Sequence, residues 1–347
     1  MADVPPAQGQ GTKQRWRYDE IVIIVGAGII GLSCAWRLAQ KSIPVTVLEA
    51  GRAAREASWA GAGMLAPVGE IESDNEAARL AVRCLAAFAA FVTELQAESG
   101  IAIDFQQDGA VELAFTEQEA AALEQKAKVQ AGLGIPSVPI ARDGALYARF
   151  YPEDALVNPR DVTAALRVAC ERRGVQFLED TPVLGLLDDG TVQIAAGTLQ
   201  ADEVLVTTGA WTTALLPQAG VLPVRGHLIS YGTIARQFAG ILRHGHTYLL
   251  QRDTGEFLAG ATREEVGFNR SLDPAAISDL QARAETLLPS LTGLDLKEYW
   301  NGFRPGIAGD IPWIGRIRGR ISGAFGHYRN GILLAPETAR IIAELLA

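Results

Sequence analysis

The chain has 347 residues, of which 48% are hydrophobic and 20% charged, and its net charge is −9 at pH 7. This composition is typical of a globular enzyme, and the length allows one large domain or two intertwined ones. The acidic balance argues against a nucleic acid or polyphosphate partner, which would need a basic face. No apolar run approaches the about 20 residues of a membrane span, so we expect no membrane span and a cytoplasmic location.

Residues 1–18 are polar and contain proline and glycine, so we expect a disordered lead there and no signal peptide. Three cysteines without a CxxC pair cannot form a disulfide framework, which fits a reducing compartment. His244 and His246 share one face of a predicted strand but have no third ligand nearby, so we predict no metal site.

A βαβ unit opens the ordered part of the sequence. Residues 21–25 are a continuous β-branched run, as in a strand buried on both faces of a parallel sheet. A helix is predicted from 32 to about 41, and residues 45–48 form a second strand that ends at Glu49. A glycine-rich loop, residues 26–31, joins the first strand to the helix.

That loop reads GAGIIG, a dinucleotide-binding pattern. Gly26 permits the tight turn, Gly28 lets the backbone approach a pyrophosphate, and Gly31 lets helix and strand pack closely. The helix N-terminus favours phosphate, and Glu49 is placed to accept hydrogen bonds from ribose hydroxyls. A carboxylate there disfavours a 2′-phosphate. The alternative is an ordinary glycine-rich turn followed by a solvated glutamate.

The rest of the chain alternates between helical and strand-like patterns, without an internal repeat or a low-complexity linker. This order indicates a mixed α/β fold whose two domains are interleaved. The predicted helices cover residues 74–98, 116–131, 161–173, 274–288 and 336–346. The predicted strands cover residues 101–105, 109–115, 175–178, 183–187, 191–195 and 203–207, with strand-like alternation over 226–268 and a glycine-rich segment over 302–331.

Four segments carry a resemblance to a known family. They are residues 25–32 with Glu49, residues 58–67 (SWAGAGMLAP), residues 207–211 (TTGAW), and the region from 300 onward with GFRPG, GDIPWIG and GHYRNGILLAP. In this order they resemble the D-amino-acid oxidase superfamily of FAD-dependent oxidoreductases, and within it the glycine oxidases of thiamine biosynthesis. The match extends over nearly the whole chain from about residue 19.

The resemblance implies a Rossmann-like FAD-binding domain interleaved with a smaller antiparallel-sheet substrate domain. The FAD-binding domain would take residues 19–80, 150–225 and 300–347, and the substrate domain residues 81–149 and 226–299. No cysteine lies in the C-terminal glycine-rich segment, where sarcosine-oxidase-type relatives attach flavin, so we predict noncovalent FAD. The sequence allows a homo-oligomer without indicating one.

The resemblance also implies contacts to each part of FAD. On the pyrophosphate loop and beside the adenosine they fall to Gly26, Gly28, Ile29, Ile30, Gly31, Glu49, Ala50, Ala57, Ser58 and Val183. Nearer the flavin ring they fall to Ala62, Gly63, Met64, His327, Tyr328, Arg329, Asn330, Gly331, Ile332 and Leu333. At Ala57 relatives often have a hydroxyl residue, so any side-chain bond there is lost.

Three residues are expected to be catalytic and to bind substrate. The resemblance places the substrate carboxylate on Arg304 of the RPG motif, Arg329 of the RNG motif beside substrate and flavin, and Tyr248 in the pocket. A planar guanidinium suits a carboxylate because it can donate two parallel hydrogen bonds. The alternatives are a surface ion pair for Arg304 and simple packing for Tyr248. Arg263 stands near the expected pocket mouth, where some relatives have an apolar residue.

The resemblance implies FAD-dependent oxidative deamination of glycine and other small amines, such as sarcosine and D-alanine. The substrate would be small, O₂ would be the acceptor, H₂O₂ would be released, and the glycine imine would supply thiamine thiazole synthesis. One alternative is a D-amino-acid dehydrogenase or a sarcosine-oxidase-like enzyme. Another is a flavin-binding sensor without turnover, which the two arginines oppose.

Overall fold

The computed structural model describes residues 21–347, so the predicted disordered lead, residues 1–18, lies outside the described residues. The strands of this part are β1 Val22–Val25, β2 Val45–Leu48, β3 Met64–Leu65, β4 Phe105–Gln106, β5 Ala110–Ala114, β6 Val138–Ile140, β7 Tyr147–Tyr151, β8 Ala155–Val157, β9 Gln176–Leu178, β10 Val183–Leu186, β11 Thr191–Ile194, β12 Gly197–Gln200, β13 Glu203–Val206, β14 Leu222–Thr233, β15 Ile241–His244, β16 Thr247–Gln251, β17 Glu256–Gly260, β18 Glu298–Gly306, β19 Trp313–Arg318 and β20 Ile321–Phe325.

The α-helices are α1 Ile29–Gln40, α2 Ala57–Ala60, α3 Glu76–Ser99, α4 Glu117–Gly132, α5 Pro159–Arg172, α6 Thr212–Leu215, α7 Pro274–Leu287 and α8 Gly331–Leu345. Short 3-10 turns cover Pro67–Glu70, Gly209–Trp211, Pro217–Ala219, Pro289–Leu291 and Ala308–Asp310.

The first sheet has six strands in the order β19-β20-β13-β1-β2-β9. Its strands pair in parallel except for β19, which is antiparallel to β20 at one edge. Strand β1 lies in the middle and is buried throughout, as its β-branched run predicts. The carboxyl ends of the parallel strands therefore meet at one edge of the sheet.

Helices cover one face of this sheet. Trp36 of α1, Phe88 of α3, Leu166 of α5 and Ile342 of α8 are fully buried in one hydrophobic cluster there. The opposite face packs against the three-stranded antiparallel sheet β10-β11-β12, through Val192 and other apolar residues. The sheet is thus covered on both faces, as parallel sheets require.

Helix α3 has the length and apolarity of a membrane span, and it is the single helix among residues 21–347 that does. The sequence reading did not single it out, because charged residues such as Arg79, Arg83 and Glu94 interrupt its apolar run. One side of α3 packs against α5 and α8 through Phe88 and Leu95. That side of α3 therefore belongs to the core of the first half of the fold, which comprises the first sheet and the helices packed on it.

The second sheet has eight strands in the order β18-β14-β17-β16-β15-β5-β7-β6. Neighbouring strands are antiparallel except for β15 and β5. Helix α7 packs on one face, where Phe257 and Leu280 are buried in a common cluster. The opposite face carries Tyr248 and Leu228, which pack with Ala62 of the first half. This second face is where the two halves meet.

One predicted strand is mostly wrong. Of residues 101–105, only the last belongs to a strand, β4. The amide of Ile101 donates to Ser99 Oγ at 3.2 Å, and that of Ile103 donates to Gln96 Oε1 at 2.8 Å. Side chains of α3 thus satisfy these donors, and the segment needs no neighbouring strand.

The last helix begins at Gly331, five residues before the predicted start at Pro336. Pro336 lies inside the helix, where it cannot donate a hydrogen bond to the carbonyl of Ile332. The missing hydrogen bond lies within the first two turns of the helix, and the side chain of Pro336 is buried. By contrast, the helix predicted from residue 116 is present as α4, and it opens with a capping box in which Thr116 and Glu119 are bonded reciprocally.

The packing differs from the predicted division of domains at three places. Helix α3 packs with the first sheet, although residues 81–99 were assigned to the substrate domain. Strands β14 and β18 extend the second sheet to residues 222 and 306, beyond the predicted boundaries at 226 and 299. The division itself stays a prediction.

Candidate active site

The glycine loop follows β1 and leads directly into α1, whose first residue is Ile29. Gly26 has φ +104°, a conformation that side chains disfavour. A Cβ at Gly31 would lie 2.0 Å from the carbonyl oxygen of Gly26, so the helix can pack this closely only with glycine there. The first turn of α1 contains no acidic residue, and Gly28, its N-cap residue, makes no side-chain hydrogen bond to the helix. This N-terminus therefore suits an anion.

Glu49 lies at the end of β2, next to that loop. Its Oε2 accepts from the amide of Ala27 at 2.8 Å, and its Oε1 accepts from the amide of Gly51 at 3.0 Å. The carboxylate is thereby fixed beside the loop, and its remaining lone pairs can accept hydrogen bonds from hydroxyl groups. Ala50 follows it and is exposed.

Two further predicted residues lie beside this loop. Ser58 is buried in α2, and its Oγ accepts from the amide of Ile29 at 2.9 Å. Val183 begins β10, and the chain just before it is bonded to the end of β2, with the amide of Thr181 donating to the carbonyl of Glu49 at 2.8 Å. The fold thus brings four separate segments to one edge of the first sheet.

A pocket of about 720 Å³, its open mouth included, lies between the two halves of the fold. From the first half it is lined by Ala57, Ala60, Gly61, Ala62, Gly63, Met64, Ala66, Arg329, Asn330 and Ile332. From the second sheet it is lined by Gly226, Leu228, Tyr248, Gly302 and Arg304. The three residues expected to be catalytic, Tyr248, Arg304 and Arg329, therefore share one cavity.

Glycines on three strands of the second sheet make room for the pocket. A Cβ at Gly226 would lie 2.0 Å from Nη1 of Arg304, and one at Gly260 would lie 2.3 Å from the Tyr248 ring. A Cβ at Gly302 would lie 2.6 Å from the Cβ of Ala60 on the opposite wall. Each glycine thus lets a specific side chain or wall approach the sheet.

Arg304 is held from one side by the backbone. Its Nη1 donates to the carbonyl oxygen of Thr262 at 3.1 Å, and its side chain is half-buried. The hydroxyl of Thr262 in turn accepts from the amide of His227 at 2.8 Å. Tyr248 is 8% exposed on β16 and lies opposite Gly260 of β17. The guanidinium and the phenol therefore project from one sheet into one space.

Arg263 does not line the pocket. Its Nε donates to the hydroxyl of Tyr328 at 2.9 Å, and its Nη2 lies 2.9 Å from Oε1 of Glu265. The side chain is 60% exposed. Tyr328 has φ +46° and its amide donates to the carbonyl of Pro305, which fixes the turn before Arg329.

The predicted residues of the C-terminal segment separate into two groups. Arg329, Asn330 and Ile332 line the pocket. The side chain of Leu333 is buried in the hydrophobic core, and Gly331 begins α8. Any contact from these two residues to a cofactor must therefore come from the backbone.

His327 is also directed into the interior. Its Nε2 lies 3.0 Å from Thr338 Oγ1, and burial lowers the pKa of its imidazole to about 3. The unfolded chain binds a proton at His327 below about pH 6.5, whereas the folded chain does not. The free energy of unfolding should therefore fall as the pH falls toward 3, by up to about 1.4 kcal/mol per pH unit.

The H327Q variant should remove this dependence. Urea unfolding between about pH 4 and pH 6.5 is expected to show a flatter pH profile for H327Q than for the parent. H246Q, at an exposed turn position, serves as the control and should keep the parent slope. Equal slopes for H327Q and the parent would contradict the buried, neutral state of His327.

Sequence reasoning missed several pocket residues, namely Ala60, Gly61, Ala66, Gly226, Leu228 and Gly302. Ala60, Gly61, Ala66 and Gly302 belong to segments that carried the family resemblance. No local pattern marks Gly226 and Leu228, which reach the pocket because β14 pairs with β18.

The comparisons agree with this geometry. The family model described as FAD dependent oxidoreductase (DAO) matches residues 22–345. A glycine oxidase of Bacillus licheniformis is 33% identical over 347 residues, covering 96% of this chain and 94% of that protein. A bifunctional protein ThiO/ThiG of Synechocystis sp. is 33% identical over 349 residues, covering 94% of this chain and 51% of that protein.

Among solved structures, the glycine oxidase of Geobacillus kaustophilus superimposes with a TM-score of 0.90 at 28% identity. The superposition covers 94% of this chain and 95% of that one. The family match spans both sheets and the pocket between them. The chain belongs to the DAO family of FAD dependent oxidoreductases.

Proposed function

We propose that this protein oxidises glycine and other small amines in an FAD-dependent reaction that uses O₂ and releases H₂O₂. The observation that carries the proposal is the placement of Arg304 and Tyr248 opposite the small-residue wall 57–66, in one pocket. That wall continues from the dinucleotide loop through the bond between Ser58 and Ile29. A carboxylate anchor and a cofactor wall thus face each other.

The residues present fit FAD. The glycine loop and the N-terminus of α1, where Ser58 Oγ accepts from the amide of Ile29, would hold the pyrophosphate, and Glu49 would hold the ribose. The alanine and glycine residues of segment 57–66 leave space for a flat ring system at the pocket wall. FAD, when bound, supplies the acceptor for the hydride that leaves the substrate Cα.

The protein contributes orientation more than proton transfer. Arg304 would bind the substrate carboxylate through its planar fork, and the hydroxyl of Tyr248 would donate a hydrogen bond to the substrate. Arg329, at the C-terminal wall, would add positive charge beside the same site. Among the described residues that line the pocket there is no carboxylate and no histidine. The amine must then enter neutral, and the protein places Cα–H for transfer without a side-chain base.

Noncovalent attachment of FAD remains part of the proposal. Cys34, Cys84 and Cys170 are buried on α1, α3 and α5, away from the residues that line the pocket. Burial raises the pKa of the Cys84 thiol to about 12, so this thiol is unreactive at neutral pH. Extraction with acid should release free FAD from the protein.

The sequence resemblance supports a metabolic role as well. The glycine imine would supply thiamine thiazole synthesis, and the relatedness to a bifunctional protein ThiO/ThiG is in keeping with this role. We also propose a cytoplasmic location, since three cysteines that remain free fit a reducing compartment. Growth of a deletion strain without thiamine, with and without this gene restored, would test the role.

Anaerobic titration of the purified protein tests the activity. Glycine is expected to bleach the flavin absorption, sarcosine and D-alanine to do so to differing extents, and air to restore the colour with about one H₂O₂ per cycle. A reduced flavin that stays reduced in air would indicate a D-amino-acid dehydrogenase instead. A flavin that none of the amines bleaches would indicate a flavin-binding protein without turnover.

A further inference from the structure

Arg252 connects the second sheet to the wall of the pocket. It follows β16 in the tight turn to β17, where its amide donates to the carbonyl of Glu256 at 2.9 Å. Its side chain is 3% exposed and reaches out of its own sheet. Nη1 donates to the carbonyl oxygen of Val157 at 2.8 Å, and Nη2 donates to the carbonyl oxygen of Ala62.

This guanidinium is buried at a cost. It takes part in none of the ion pairs found among residues 21–347, and its charge is met there by backbone oxygens. Burial lowers the pKa of Arg252 to about 10, although Asp104 and Glu256 act in the opposite direction. A buried charge without a contacting carboxylate is unfavourable for stability. A geometric role explains why arginine stands there.

Ala62, whose carbonyl oxygen accepts from Arg252, belongs to the small-residue wall 57–66. Gly63 has φ +83°, and a Cβ on it would lie 1.8 Å from the same Val157 oxygen. The amide of Val157 donates to the carbonyl of Gly63 at 2.9 Å. Two residues before Ala62, the carbonyl of Ala60 accepts from Trp300 Nε1 at 3.0 Å.

The carbonyl groups of this stretch are thus tied to partners on several elements. The bond from Arg252 to Ala62 comes from the second sheet, which carries Tyr248 on β16 and Arg304 on β18. A rigid guanidinium fork can hold two carbonyl oxygens at a fixed separation, which a single ammonium cannot do. The wall and the substrate-facing strands are therefore linked through one buried side chain.

We propose that Arg252 is a positioning residue that fixes the Ala62–Gly63 backbone against the flavin and sets the distance of the flavin from the substrate anchor. The inference rests on the assignment of this pocket to the flavin. Under this proposal, Arg252 affects both the affinity of the protein for FAD and the environment of the bound flavin. Arg252 is not among the residues that line the pocket.

The test compares R252M and R252K with the parent protein. R252M is expected to raise the dissociation constant of FAD about tenfold to a hundredfold and to shift the visible flavin spectrum, because two charge-assisted hydrogen bonds are lost. R252K keeps the charge and one bond, so it should lie between R252M and the parent. Both constants are measured by adding FAD to apoprotein and following flavin fluorescence.

R243M is the matched control. Arg243 is equally buried on the adjacent strand β15, and it is bonded to Asp154 and Glu112 and not to the pocket wall. R243M is expected to lower stability while the FAD affinity and spectrum stay at parent values. Should R252M fail to fold, R252K gives the same readout.

Parent-like FAD affinity and spectrum in R252M, or in R252K when R252M does not fold, would overturn the proposal. An equal shift in R243M would overturn it too, since the effect would then belong to the loss of any buried arginine. A changed FAD spectrum in R252M, together with a parent protein whose flavin glycine does not bleach, would overturn the proposed substrate but support the role of Arg252.

Discussion

The R304M variant is expected to lower kcat/KM for glycine by about a hundredfold to a thousandfold while the protein remains loaded with FAD. Arg304 is the cationic group that β18 brings to the pocket, and its orientation is set by the bond from Nη1 to the Thr262 carbonyl. Methionine fills similar space but cannot bind a carboxylate. Losing a charge-assisted anchor in a partly buried site costs about 3–4 kcal/mol of transition-state binding.

Steady-state kinetics with glycine and a flavin absorption spectrum of each variant check this expectation. R304K should recover part of the activity, because an ammonium retains the charge without the bidentate geometry. R316M is the control, since Arg316 lies on the edge strand β19 and pairs with Glu203 on the surface. Parent-like kcat/KM in R304M would show that the carboxylate anchor lies elsewhere.

G226A tests the same anchor without removing it. The added methyl group would lie 2.0 Å from Nη1 of Arg304 and must displace the guanidinium. Because only the tip of a flexible side chain has to move, we expect a weaker effect than in R304M, mainly on KM. A normal FAD spectrum in G226A would separate this effect from a change in the cofactor wall.

The G31A variant is expected to lose FAD. A Cβ at Gly31 would lie 2.0 Å from the carbonyl oxygen of Gly26 and 2.7 Å from Thr207 Oγ1. The first contact is to backbone at the carboxyl end of the central strand, so neither partner can rotate away. Helix α1 would have to shift from β1, and its N-terminus would leave the position that suits a pyrophosphate. We expect FAD affinity to fall about a hundredfold or more.

G51A provides a closely placed comparison. Gly51 also lies at this edge of the sheet, beside Glu49, but a Cβ there would meet nothing within 4 Å. Its amide, which donates to Glu49, is kept in alanine. Titration of apoprotein with FAD should give parent-like affinity for G51A and no saturable binding for G31A in the same range. Tight FAD binding by G31A would show that α1 is not the pyrophosphate site.

The local elements of the first half could be predicted from sequence because their signals are local. A β-branched run specifies β1, the spacing of Gly26, Gly28 and Gly31 specifies the turn into α1, and the end of β2 places Glu49. The strand prediction failed where side chains, and not a neighbouring strand, accept the backbone hydrogen bonds. Residues 101–104 have strand-like composition, yet α3 side chains accept hydrogen bonds from the amides of Ile101 and Ile103, and no period in the sequence shows this.

The motif resemblance indicated Arg304 and Arg329, but it could not give the shape of the site. That shape depends on pairings between segments far apart in sequence, such as β14 with β18 and β16 with β17. The absence of a side chain at Gly226 and Gly260 matters because those pairings place Arg304 and Tyr248 against them.

The sequence by itself determined the dinucleotide loop and the family, because both depend on residue types at short, fixed spacings. Only the tertiary structure decided that Tyr248, Arg304 and Arg329 share one pocket, and that Arg252 links the second sheet to Ala62. The physical reason is that a side chain's partners are set by strand order and helix packing, which join residues about 200 positions apart, as the 190 positions between Ala62 and Arg252 illustrate.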